Sequence, residues 1–145
     1  SILQFSQLVA KISNIDLLQR HVVQSLFYDY LDEFIDKNFS DYKIYKDFTP
    51  VDDRELVVDY KFEATRPLFI FGVNGETKAS KVVISCLSFQ KNKIPFRSIV
   101  VHNDFNSGIS SFYRNQITNM ADKQFTSLNE FKAIGFDYVS REIAA

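Results

Sequence analysis

From Leu56 to Glu63 apolar and polar positions alternate, with Leu56, Val58, Tyr60 and Phe62 set against Val57, Asp59, Lys61 and Glu63. A period of two is that of a strand with one apolar face, and three of the four residues opposite are charged. Thr65-Arg66-Pro67 predicts a turn, because proline fixes its own φ and restricts the residue before it. Leu68 to Val73 is apolar on both faces apart from Gly72, the pattern of a central strand covered on both sides. Asn74-Gly75 supplies the turn chemistry that ends such a strand. Ala79, Val82, Val83, Cys86, Leu87 and Phe89 then recur at helical spacing, while Lys78, Lys81, Gln90 and Lys91 fall mostly elsewhere. Phe96 to His102 predicts a further strand. Strand, helix and strand make a βαβ unit, so its strands are expected to be parallel and its crossover right-handed.

The same periodicities organise the rest of the chain. Ile2, Phe5, Leu8, Val9 and Ile12 predict a short helix that Ser13-Asn14 interrupts. Asn14 or Asp16 caps a longer one, whose stripe is Leu18, Val22, Leu26, Phe27, Tyr30, Leu31, Phe34 and Ile35. Its other side carries Asp29, Asp32, Glu33 and Asp36, an acidic face read as solvated. Tyr42 to Phe48 predicts a strand with Ile44 and Phe48 inward, followed by a turn at Pro50 to Asp53. After His102, Asn103 to Gly108 reads as a loop and Ile109, Phe112, Tyr113, Ile117 and Met120 as a helix. Ser127 with Glu130 predicts a capping box, Gly135 the end of that last helix, and Phe136 to Val139 a short edge strand. The expected architecture is one α/β (α+β) domain ordered α-α-β-β-β-α-β-α-α-β, around a mixed four- or five-stranded sheet flanked by helices.

Composition narrows the function classes. A chain of 145 residues, 46% hydrophobic and 15% aromatic, has the material for a sizeable core. Its 17 basic and 18 acidic residues leave a net charge of -1, so no overall field draws it to nucleic acid, and any such contact needs a local patch. Lys78, Lys81, Lys91, Lys93 and Arg97, with Phe96 nearby, are the candidate patch, although a solvated helix face is the default for such a strip. The single cysteine, Cys86, excludes an internal disulfide and sits among apolar helix positions, where a buried thiol is expected. Two histidines, His21 and His102, are too few for a histidine-rich metal cluster. No apolar run approaches the roughly 20 residues of a membrane span and no signal peptide is visible, which predicts a cytoplasmic protein. The start at Ser1 within helix-like sequence is that expected of a domain cut from a longer protein, and removal of an initiator Met before Ser gives the same start. His102 with Asp104, just past a strand end, is a candidate acid/base pair, against the plainer reading of a histidine bonded to a loop. Ser85 and Ser110 lack a nucleophile elbow, and Gly72 to Gly75 is too poor in glycine for a phosphate loop.

The order helix, three strands, helix, strand from about residue 15 to 102 resembles the core of the restriction-endonuclease-like, or PD-(D/E)XK, nuclease superfamily. In wording, the chain is similar to the C-terminal part of an uncharacterised bacterial and prophage family. The segments that carry this are Phe5 through Leu31, VVDYKF, LFIFGVNGETKA, and FRSIVVHNDF followed by NMADKQFTS. The second resemblance implies an upstream N-terminal domain and a phage, mobile-element or defence-related origin. The first implies carboxylates on neighbouring strands that hold Mg²⁺ and a lysine beside the attacking water. Two registers follow from it. In one, Asp59 is the strand acid and Glu76-Thr77-Lys78 the E-x-K; in the other, Pro50-Val51-Asp52 precedes Asp59-Tyr60-Lys61 as the D-x-K. Glu33 on the second helix is the additional acid that many members of the superfamily place there. The metal set is thus Asp59, Glu76, Asp52 and Glu33, with Lys78 or Lys61 as the catalytic lysine.

Neither register is regular, since Asn74-Gly75 ends the strand before Glu76 and Asp52 lies in a charged turn. The function expected is therefore a non-catalytic interaction module on a nuclease-like scaffold, engaging a protein partner, the upstream domain or nucleic acid. Its surface would include an apolar patch, with Phe105, Phe112 and Tyr113 as candidates. The alternative is a Mg²⁺-dependent nuclease acting on DNA or RNA through Asp59, Glu76 and Lys78.

Overall fold

A computed structural model describes residues 26–145. The short first helix, the caps at Asn14 or Asp16 and the beginning of the second helix lie outside the described residues. Helix α1 covers 26–38 and sets Phe27, Leu31 and Ile35 in the core, at the four-residue spacing expected of one helix face, with Phe39 just beyond. It is followed by β1 (Ile44–Phe48), β2 (Val58–Phe62), β3 (Leu68–Val73), α2 (Glu76–Lys91), β4 (Arg97–His102), α3 (Ser111–Met120), β5 (Lys123–Phe125) and α4 (Leu128–Ala144).

The strands form a mixed five-stranded sheet in the order β1-β2-β3-β4-β5. β1, β2 and β3 are antiparallel neighbours. β3 and β4 are parallel from Leu68 opposite Arg97 to Val73 opposite His102, as the βαβ reading requires. The parity of β3 supplies both sides of the domain. Leu68 and Ile70 join α1 and α4, whereas Phe69, Phe71 and Val73 join α2 and α3. The central strand is accordingly buried at all six positions. The many phenylalanines find their use here: Phe39 meets the rings of Phe34, Phe62, Phe131 and Phe136, and Phe69 stacks on Phe96 with centroids 4.9 Å apart.

Several expectations are corrected. The single apolar face assigned to β2 splits, for Tyr60 and Phe62 pack on the α1 side while Val58 and Leu56 pack on the α2 side. β1 divides in the same way, with Ile44 on one side and Phe48 on the other, and Asp47 between them takes a positive φ of 52°. Gly135 does not end the last helix, and Phe136 to Val139 is not a strand: α4 runs through both to Ala144 because Val139 is buried, with Tyr138 and Ile143 against the same core. The fifth strand is Lys123–Phe125 instead, lying parallel to β4 and before α4 in sequence. It is tied down by Asp122, whose carboxylate accepts from the Ser98 N–H at 2.8 Å while its own N–H donates to Ser98 Oγ. The capping box forms one residue out of register: Ser127 Oγ accepts from the Glu130 N–H, but the Glu130 carboxylate reaches the N–H of Thr126 rather than of Ser127.

Candidate functional site

β2 and β3 part company beyond the pair Tyr60–Ile70, the last step of their ladder on that side. The Asp59 carboxylate fills the place of the missing ladder bond, accepting from the Gly72 N–H at 2.8 Å. Both of its oxygens also receive Lys78 Nζ from the first turns of α2, at 2.8 and 2.9 Å. One helix turn after Gly75 is what brings Lys78 to this point, so the strand, the parting of the ladder and the helix start together build the contact. Gly72 is needed for a second reason. A Cβ there would lie 2.9 Å from Leu31 and 3.1 Å from both Phe27 and Tyr28, so the glycine lets α1 lie directly on the strand backbone.

Tyr28 of α1 reaches over this junction. Its hydroxyl lies 3.0 Å from Asn74 Oδ1 and 3.2 Å from Gly72 O, and Lys78 Nζ sits 5.4 Å from its ring centre. Burial, reinforced by the nearby Asp59 charge, raises the Tyr28 phenol well above its ordinary pKa, so it stays a neutral donor. A second polar group adjoins the first. Tyr60 donates to Asp32 Oδ1 at 2.9 Å, and Lys46 of β1 bridges Asp32 and Asp36 at 2.9 Å each. The hydrogen bond from Lys46 holds the Asp32 carboxyl below the usual carboxylate range; burial, followed by the bond to Asp32, pushes Tyr60 up. Tyr28, Asp29, Asp32, Lys46, Asp47, Asp59, Tyr60 and Lys78 line one open cleft of about 400 Å³, with four aspartates against two lysines.

Of the residues expected from sequence, Asp59 and Lys78 meet in this cleft. The others lie apart from it. Glu33 faces a separate depression between α1 and α4, beside Lys37 and Lys132. Asp52 is exposed in the turn after β1, and Glu76 is exposed in the first turn of α2, where the helix dipole favours an acid without any ligand. Lys61 turns to Glu63 at 3.0 Å and lies over the rings of Phe48 and Tyr45. Continuing the β2–β3 register by one step puts Phe71 opposite Asp59, and Phe71 and Val73, the positions of β3 on the α2 side, are buried and apolar. Among the described residues, no three histidine, cysteine or acidic side chains converge on a place for a metal ion. The four expected ligands, Asp59, Glu76, Asp52 and Glu33, are thus not gathered into one donor set.

The remaining candidates also resolve. His102 pairs with Gln124 at 3.0 Å, while Asp104 accepts from the Asn106 N–H within its own loop, so the two make no acid/base pair. Cys86 is buried, and burial pushes its thiol up to about 12, far from a reactive thiolate. Ser110 caps α3 and Ser85 is buried. The basic strip is broken, because Lys78 is paired with Asp59 and Arg97 with Glu142, while Phe96 lies in the core. Phe112 is exposed beside Tyr113, and Ile84 and Leu87 stand out from α2 at 60% and 54% exposure.

Tyr28, Asp32, Lys46 and Tyr60 escaped the sequence reading. Asp32 stood in an acidic helix face and Tyr60 in an apolar strand face, and no spacing ties either to Lys46. No helix among the described residues is long and apolar enough to cross a membrane. Compared with family models, curated proteins and solved structures, the chain has no match in any of the three.

Proposed function

We propose that this domain is a non-catalytic interaction module on a nuclease-like scaffold, and that its partner is a polypeptide. The observation that carries this is the state of Asp59. Both carboxylate oxygens are engaged by Lys78 and one also by the Gly72 N–H, and the neighbouring strand offers Phe71 and Val73 rather than a second carboxylate. An acid saturated by internal donors serves to fasten β2, β3 and α2 together. The excess of aspartate over lysine in the cleft opposes a phosphate backbone, and exposed Ile84, Leu87 and Phe112 suit a protein surface instead. A phage, mobile-element or defence-related setting is what the resemblance in wording implies.

A second reading, a Mg²⁺-dependent nuclease, is favoured by one observation: Asp59 and Lys78, the acid and lysine of the first register, meet in an open cleft with Asp29 and Asp32 on its wall. The deciding experiment titrates Mg²⁺ and Mn²⁺ calorimetrically into the wild type and Asp59→Ala, then incubates both with single- and double-stranded DNA and RNA. The module reading expects neither metal binding nor cleavage from either protein. Cleavage that depends on both metal and Asp59 would establish the nuclease instead.

A further inference from the structure

Among the described residues, one buried side-chain polar atom stands without a hydrogen-bond partner, Nδ1 of His102. The residue is completely buried at the C-terminal end of β4. Its other nitrogen, Nε2, lies 3.0 Å from Gln124 Oε1 on β5, and Gln124 Nε2 donates to Thr118 Oγ1 of α3 at 2.9 Å. Because the Gln124 amide spends its donor on Thr118, its oxygen faces the imidazole, and the neutral ring must carry its proton on Nε2. The Phe105 ring closes edge-on over the imidazole, with centroids 5.0 Å apart.

We propose that His102 is an acid-released latch that holds the end of β4 to β5 and α3. A neutral imidazole satisfies the relay with its one N–H. Protonation adds a second N–H at Nδ1, for which the described residues offer no acceptor, and leaves a buried positive charge. The surrounding charged groups are turned elsewhere. Asp104 accepts from the Asn106 N–H, Glu130 from Thr126, and Glu76 of α2 faces solvent. Arg114 lies against the Phe105 ring, and Lys123 over Phe125 and Tyr138. β3, the neighbour on the other side, has no titratable residue between Leu68 and Val73. The imidazolium can therefore find a partner only by leaving its site, which frees the loop at 103–110 and loosens α3 and β5.

Burial holds the closed-state pKa below the ordinary value, with the Gln124 bond opposing in part, while an opened His102 regains a pKa of about 6.5. The latch is thus tightest well above about pH 6.5, and its opening constant rises as pH falls through that value, approaching about tenfold per pH unit until the closed-state pKa is reached.

The test is native-state hydrogen exchange at pH 7.5, 6.5 and 5.5, corrected for the intrinsic pH dependence of exchange, on the wild type, His102→Gln and Gln124→Glu. In the wild type the amides of 111–125 should lose about tenfold protection between pH 7.5 and 5.5, about fivefold of it below pH 6.5. His102→Gln, which cannot titrate, should lose none, and Gln124→Glu, which offers the imidazolium a carboxylate, should shift or abolish the loss. Unchanged wild-type protection, or an equal loss in His102→Gln, overturns the proposal. Should His102→Gln fail to fold, an undiminished acid loss in Gln124→Glu overturns it equally.

Discussion

At the scale of single residues, the junction of β2, β3 and α2 rests on Asp59. Asp59→Ala leaves the Gly72 N–H and the Lys78 ammonium without their acceptor in a partly buried place, which is expected to cost about 1–3 kcal/mol. Lys78→Met removes the charge but keeps the stem, so it should cost less, and urea unfolding of the two single variants and the double variant measures their coupling. A coupling near zero would show that the pair contributes nothing to the fold. Gly72→Ala tests the other half of the junction. Its methyl meets Leu31 at 2.9 Å and the rings of Phe27 and Tyr28 at 3.1 Å, so a loss of about 1–3 kcal/mol is expected in the same assay. Asp59 and Lys78 were legible in the sequence, one as a charge on an otherwise regular strand and the other as the lysine just inside a helix. Their contact was not legible, because it depends on where the β2–β3 ladder stops. Glu33, Glu76, Asp52 and Lys61 fitted the same spacing rules and lie apart from the cleft. Spacing along the chain tells which charges share a face of one element, and not which charges of different elements meet.

Among the elements, α4 shows how burial overrides local propensity. Gly135 ordinarily disfavours a helix interior by about 1 kcal/mol relative to alanine. Here a Cβ at 135 would fall 2.4 Å from the Phe131 ring, so the ring occupies the space that a side chain would need. Gly135→Ala is accordingly expected to lower the melting temperature despite its better helix propensity, and Phe131→Leu in the same chain to relieve the clash. A rise in melting temperature for the single variant would show that the ring simply moves aside. The misreading of Phe136 to Val139 as a strand has the same origin, since a four-residue run with apolar positions at both ends suits either period. The helix prevails because Val139, Tyr138 and Ile143 reach one core only with helical spacing. β5 escaped notice since three residues with one buried side chain display no period at all.

For the molecule as a whole, the sheet separates two cores, one under α1 and α4 and one under α2 and α3, and acid acts on both sides of it. His102 belongs to the α2 and α3 side. Asp32 adjoins the other, and its pKa is depressed chiefly by the Lys46 bond. A depressed carboxylate stabilises the fold above its unfolded pKa of about 4, and that contribution is lost as pH falls through the folded value. Melting temperature should therefore decline in two stages, first below about pH 6.5 and again below about pH 4, and Asp32→Asn should flatten only the lower stage. On the module reading, millimolar Mg²⁺ leaves the melting temperature unchanged, since a ligand stabilises only the state that binds it.

The strands from Tyr42 to His102, the parallel βαβ unit and the mixed sheet with flanking helices followed from hydrophobic period and turn chemistry alone. These are short-range properties, in which each residue reports its own burial and its own backbone preference. The crossing of β1 and β2 at Asp47 and Asp59, the seat of Gly72 under α1, the placing of β5 and the pairing of Lys78 with Asp59 were decided only in three dimensions. Each depends on which distant groups fill a space or satisfy a donor, and a carboxylate on a polar strand face looks the same in sequence whether it awaits a metal or already holds a lysine.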